Sequence, residues 1–87
     1  NIMETMKKLE KIAAELSKIG GSTKTIARRR AELFEVLCDK AGIKYEFVGD
    51  RPKGRSCGVV EMSGCYRVFI RCGYGKYNYA PCYEISK

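Results

Sequence analysis

Apolar residues recur at helical spacing through residues 2–19, at Met6, Leu9, Ile12, Ala13, Leu16 and Ile19, while Lys7, Lys8, Lys11, Glu15 and Lys18 fall elsewhere on the wheel. This spacing predicts an amphipathic helix. Gly20-Gly21 interrupts it, and a second periodic stretch from Ser22 to Gly42 places Ile26, Ala27, Leu33, Phe34, Leu37 and Ala41 on one stripe. A hydroxyl residue opens the stretch and a glycine closes it, both ordinary helix boundary signals. Two helices separated by so short a break should fold back as an antiparallel helical hairpin.

After Gly42 the period changes from 3.6 to 2. Ile43, Tyr45 and Phe47 alternate with Lys44, Glu46 and Val48, which predicts a first strand. Gly49 to Ser56, rich in glycine, proline and charge, reads as an exposed loop. Two further strands, Cys57–Met62 and Cys65–Cys72, are joined by Ser63-Gly64, a two-residue hairpin turn that pairs Met62 with Cys65, Glu61 with Tyr66, Val60 with Arg67, Val59 with Val68 and Gly58 with Phe69. One face of this hairpin then holds Cys57, Val59, Tyr66, Val68, Ile70 and Cys72 with a lone Glu61, and should meet the helices. The other holds Val60, Met62, Arg67, Phe69 and Arg71. A last segment, Tyr77 to Ile85, completes the sheet, with Pro81 indicating an edge or a bulge. The pattern describes one α+β domain over residues 1–87: a helical hairpin (2–42) packed on one face of a three- to four-stranded antiparallel sheet, read as a β-meander (43–86).

Charge adds a functional dimension to this frame. The chain carries 17 lysines and arginines against 10 acids, a formal charge of +7. The surplus is +3 in residues 1–42 (9 minus 6) and +4 in residues 43–87 (8 minus 4), so no basic tail accounts for it. Such a field favours DNA, RNA or an acidic protein surface. The second helix is also charged against its own dipole: Lys24, Arg28, Arg29 and Arg30 stand near its start and Glu32, Glu35 and Asp39 toward its end. Free N–H groups beside cations at a helix start favour a phosphate.

Arg30 falls in the middle of the apolar stripe, where a guanidinium needs a partner. Two answers are open: an ion pair with Glu61 on the inward sheet face, or emergence beside Lys24 as a bidentate phosphate ligand. On the outward face, Arg67, Phe69 and Arg71 alternate like a stacking platform flanked by cations. Arg51, Lys53 and Arg55, spaced two apart in the loop, and Lys76 in the turn complete the candidate nucleic-acid contacts.

Four stretches resemble known families in part. Gly73-Tyr74-Gly75 and the aromatics after it resemble a piece of the RNA-recognition motif, without the phenylalanine expected next and without that family's order of elements. Residues 31–71, a helix then three strands, resemble the start of a double-stranded-RNA-binding domain, whose closing lysine-bearing helix is absent from the pattern. The same order resembles nucleases of the PD-(D/E)xK class, but Arg71 and Gly73 stand where their Glu-x-Lys would be. Gly20-Gly21-Ser22-Thr23-Lys24-Thr25 resembles a fragment of a phosphate-binding loop lacking the required spacing.

Chemistry beyond binding has little to stand on. The chain has no histidine, and its five cysteines (Cys38, Cys57, Cys65, Cys72 and Cys82) include no Cys-x-x-Cys step. Reduced, mostly buried thiols in a cytoplasmic or nuclear protein are expected, with no cofactor, no metal and no catalysis. No apolar run reaches the roughly 18–20 residues that cross a bilayer. The expected function is a small basic nucleic-acid-binding domain acting through backbone phosphates and aromatic stacking. The alternative is a protein-binding module or small inhibitor of the mobile-element type, docking its basic surface on an acidic partner.

Overall fold

The computed structural model of the chain describes residues 2–20, 24–50, 58–70 and 81–87. Helix α1 spans Ile2–Ser17 and α2 spans Lys24–Ala41; the strands are β1 (Glu46–Asp50), β2 (Gly58–Glu61), β3 (Cys65–Phe69) and β4 (Pro81–Ser86). The helices pack on each other, and α1 lies over β2 and β3, so the hairpin covers one face of a four-stranded antiparallel sheet. The α+β architecture implied by the periodicity is the one the chain adopts.

Each helix contributes the stripe its spacing implies. Leu9, Ile12, Ala13 and Leu16 of α1 and Ala27, Phe34 and Cys38 of α2 are buried, and most of them meet Tyr66, Val68, Ile70, Tyr83 and Ile85 in a single core. Helix α2 ends in a Schellman motif. Gly42 adopts φ 71°, its N–H donates to the Asp39 carbonyl (3.2 Å), and the Ile43 N–H donates to the Cys38 carbonyl (2.9 Å). Residues 43–45 therefore close the helix and pad the core, with Ile43 and Tyr45 packed against it, and β1 starts at Glu46 instead of Ile43.

The β2–β3 hairpin takes the register set by its Ser63-Gly64 turn: Gly58 faces Phe69, Val59 Val68, Val60 Arg67 and Glu61 Tyr66. The wider topology departs from a meander. The strand order is β1-β4-β3-β2, so only β2, β3 and β4 follow one another, and β1 lies across the sheet beside β4. β4 is thus an interior strand, and Pro81 is tolerated as its first residue, opposite Asp50 at the end of β1. The irregularity falls in β1, between Phe47 and Gly49, where Gly49 at φ 92° supplies the positive φ that a bulge commonly needs.

Arg30 takes neither of the partners foreseen for it. It is 7 % exposed, and its Nε and Nη2 donate to the Ile19 carbonyl at 2.9 and 2.5 Å. Ile19 stands just beyond α1, its own N–H held by the Leu16 carbonyl at 3.0 Å, so its oxygen lies at the negative end of that helix. The guanidinium of one helix thereby caps the other. Glu61 faces the helix side of the sheet yet sits at its open end, exposed, where it accepts from Lys87 Nζ at 2.9 Å. Lys87 also lies 5.4 Å from the Tyr66 ring centroid. The expected Arg30–Glu61 pair is corrected on both sides.

Replacing Arg30 with methionine should lower stability by about 1.5–3 kcal/mol, the range for hydrogen bonds made by a charged group. Arg30→Lys should recover only part, since an ammonium cannot reproduce the fork. Glu61→Gln should cost less than about 1 kcal/mol because its partner is a surface cation. Urea unfolding of the three variants checks the order; a larger loss at Glu61 than at Arg30 would refute this account.

Candidate nucleic-acid interface

Three successive arginines on α2 separate by function because each residue turns about 100° around the axis. Arg30 is buried against α1, whereas Arg28 and Arg29 turn away from it and are exposed. The first turn contains no acid, and Lys24 opens it one turn before Arg28. The amide N–H groups of that turn have no partner within the helix, so cations and N–H donors converge on one end. The side chain of Lys24, like Ser22 and Thr23, lies outside the described residues, as do Arg51, Lys53, Arg55, Arg71 and Lys76.

The sheet's outer face does not present the expected platform. Phe69 is 7 % exposed and pairs across to Cys82, itself wholly buried, so the ring offers no face for a base to stack on. Arg67 stands directly opposite Glu84 and donates from Nε and Nη2 to its Oε1 at 3.1 and 2.8 Å. That bond, foremost, raises the Arg67 pKa and holds the guanidinium firmly charged, but it also neutralises the pair as seen from a distance. Arg67 moreover lies on the face turned away from the helices. It does not join Arg28 and Arg29 in one surface.

The acids in the second half of α2, unfavourable for the dipole, serve the sheet below. Glu35 Oε2 accepts from the Tyr83 hydroxyl at 2.6 Å. Burial raises the Tyr45 phenol above its usual range, followed by the charges of Asp39 and Glu35 and a hydrogen bond with Asp39. These two tyrosines enter an aromatic cluster with Phe34 and Phe47: ring centroids are 4.5 Å apart for Phe34–Tyr83, 5.9 Å for Phe34–Tyr45, 5.7 Å for Tyr45–Tyr83 and 5.5 Å for Phe47–Tyr83. Phenols that must be buried carry a hydroxyl that must be satisfied, and the helix supplies carboxylates for it. These partners lie far apart along the chain, which hides them from a reading of the sequence. Their signal was a pair of acids one helical turn apart at the edge of an apolar stripe.

The thiols are arranged for packing. Cys38 and Cys82 are buried, Cys65 is partly exposed, and none of the three is in a disulfide. Burial first, then Asp39 and Glu35, pushes the Cys38 thiol from 9.0 up to about 12. A neutral thiol of this kind is a poor nucleophile. Among the described residues no group of three or more His, Cys, Asp or Glu is placed to hold a metal ion, and no helix is long and apolar enough to cross a membrane.

Native Cys38 should resist alkylation at pH 8 and react fully once the chain is unfolded, which mass spectrometry after iodoacetamide treatment would read. Because the folded state holds this proton more tightly than the unfolded state does, its contribution to stability is complete below about pH 9 and is lost as pH rises toward about 12. Cys38→Ala should flatten the fall in melting temperature over that window; an unchanged slope would contradict the assignment.

No family model matches the chain, and neither a curated protein nor a solved structure does, so a functional reading has to be built from the chain's own residues.

Proposed function

We propose that this chain binds nucleic acid through backbone phosphates, with the start of α2 as the point of contact. One observation carries the reading: Arg28 and Arg29 are exposed beside a helix start free of acids, in a chain of formal charge +7, while neighbouring Arg30 satisfies a structural carbonyl. Arg28 and Arg29 therefore have an electrostatic layout that folding does not explain. Both stand in the second turn of α2, where the helix dipole still disfavours cations, though less than in the first turn, and a phosphate bound at the helix start would offset that. Lys24, Arg51, Lys53, Arg55, Arg71 and Lys76 remain proposed backbone contacts on the strength of their charge. Arg67 contributes less, being paired with Glu84, and Phe69, being buried, has no stacking role. Cys38, Cys65 and Cys82, in no disulfide, suit a reducing compartment, cytoplasmic or nuclear.

The double variant Arg28→Glu/Arg29→Glu tests the proposal against random-sequence DNA and RNA in a salt titration. The variant should bind more weakly at every sequence, and the slope of log affinity on log salt should fall by about two, one for each phosphate that is no longer neutralised. Its stability should be unchanged or slightly higher. Unchanged affinity would remove this site. Tight binding to polyglutamate with none to either nucleic acid would favour the rival reading, docking on an acidic protein.

A further inference from the structure

Where α1 and α2 pack on each other they leave a groove of about 240 Å³, lined by Lys8, Lys11, Ile12 and Glu15 of α1 and by Leu37 and Ala41 of α2. Its surface is mainly apolar, supplied by Ile12, Leu37 and Ala41 and by the lysine stems that such surface attracts. Leu33, one turn before Leu37 and half-buried, continues the same stripe. Past Ala41 the groove runs on into a cleft of about 530 Å³, which shares Lys8 and Ala41 with it and reaches Thr5, Ile43 and Lys44. From Thr5 to Glu15 the two together follow ten residues of α1, about 15 Å along its axis. The depression is long and narrow.

Its walls decide the shape of an occupant. Backbone groups in mid-helix are already bonded, so an extended peptide laid here would bury N–H and C=O groups without partners, whereas a helix arrives with its own satisfied. A third helix also fits the furrow between two packed ones. Charge then decides the sign. Lys8, Lys11 and Lys44 form no ion pair among the described residues, while Glu15 is held by Lys18 at 3.0 Å and Glu84, which also lines the cleft, by Arg67 at 2.8 Å. With exposed Lys40 added, and with Glu4 and Glu46 counted against them, four cations face two acids. The other acids of the helices turn away: Glu10 from Ile12, and Glu32, Glu35 and Asp39 from Leu37, by about 140–160° at 100° per residue. Asp50, the one acid whose side chain is not described, ends β1 opposite Pro81, at the other end of that strand from Glu46. A nucleic acid would leave the apolar surface unfilled, and a second copy would set lysine against lysine. We infer that the α1–α2 seam takes up an acidic amphipathic helix of a partner protein, with apolar side chains against Ile12, Leu37 and Ala41 and carboxylates beside Lys8 and Lys11. Neither Arg28 nor Arg29 lines this seam, and neither proposal requires the other.

The probe is a helical peptide about four turns long with leucines on one stripe and glutamates flanking it. It is titrated into the isotope-labelled chain at about 0.15 M salt and followed by NMR. One control has the same residues in an order that scatters the leucines; the other has lysine for each glutamate. Shift changes should gather on Lys8, Lys11 and Glu15 of α1 and on Leu37 and Ala41 of α2, and both controls should bind about tenfold more weakly or worse. Lys8→Glu/Lys11→Glu, both exposed, should weaken binding about tenfold with circular dichroism and melting temperature unchanged. Ala41→Gln, an exposed change that obstructs the groove and leaves the charge alone, should weaken it as well. Arg28→Glu/Arg29→Glu should change it less than about threefold, since Arg29 stands eight residues, about 12 Å along the axis, from Leu37 and charges beyond about 8 Å are screened at this salt. Binding that maps elsewhere, equal binding of either control, no binding at millimolar peptide, or random-sequence DNA perturbing the same resonances would each overturn the inference.

Discussion

The contact that fixes the helical layer is the one between the Arg30 guanidinium and the Ile19 carbonyl. A helix end leaves carbonyl oxygens with a partial negative charge and no partner within the helix. Arg30 meets that need with two donors on one oxygen, at 2.9 and 2.5 Å, from the middle of a stripe that is otherwise apolar. The cation gains the field of the α1 dipole and the carbonyl gains its hydrogen bonds, so the packing of α1 on α2 is held by more than apolar contact. Once the hairpin is locked, Leu9, Ile12, Leu16, Phe34 and Cys38 present a continuous surface to Tyr66, Val68, Tyr83 and Ile85.

Helix α2 then makes sense as an element whose charges are sorted by what lies beneath each turn. Arg30 faces the end of α1. Glu35 faces the Tyr83 hydroxyl and Asp39 the Tyr45 phenol. Three of the residues that give the helix its inverted appearance are thus consumed by tertiary partners. The hydrogen bonds of Arg30 and Glu35, each made by a charged group in a part-buried setting, oppose and outweigh a dipole term that fades beyond the first and last turns, so the local rule yields. Of the remaining charges, Arg28, Arg29 and Glu32 are exposed.

Periodicity made most of this fold legible. The stripe through Leu9, Ile12 and Leu16, the stop at Gly42 and the register around Ser63-Gly64 are local properties, and local chemistry sets them. Strand order was not legible, because nothing in an alternating stretch such as Tyr45-Glu46-Phe47 says which neighbour it will pair with; β1 crosses to β4 by a choice made in tertiary space. Burial of Phe69 was hidden for a similar reason. Alternation tells one face of a strand from the other and cannot tell whether the second face is open. The partner of Arg30 escaped because a backbone carbonyl carries no side-chain signature, and a search among acids on facing elements overlooks it. At the site itself, the exposed arginines could be read from the sequence as cations, but which of three adjacent ones would turn inward depended on the position of α1.

The topology also gives the sheet two unequal edges. β2 lies under α1 and is linked to β3 by a tight turn, with Glu61 at its end tied to Lys87. β1 differs: it carries a bulge between Phe47 and Gly49, it follows a helix terminus instead of a hairpin, and its aromatic residue is half exposed. Natural edges are commonly protected by charge, and Glu46 provides that protection against acidic or identical strands. A single sign of charge guards an edge selectively.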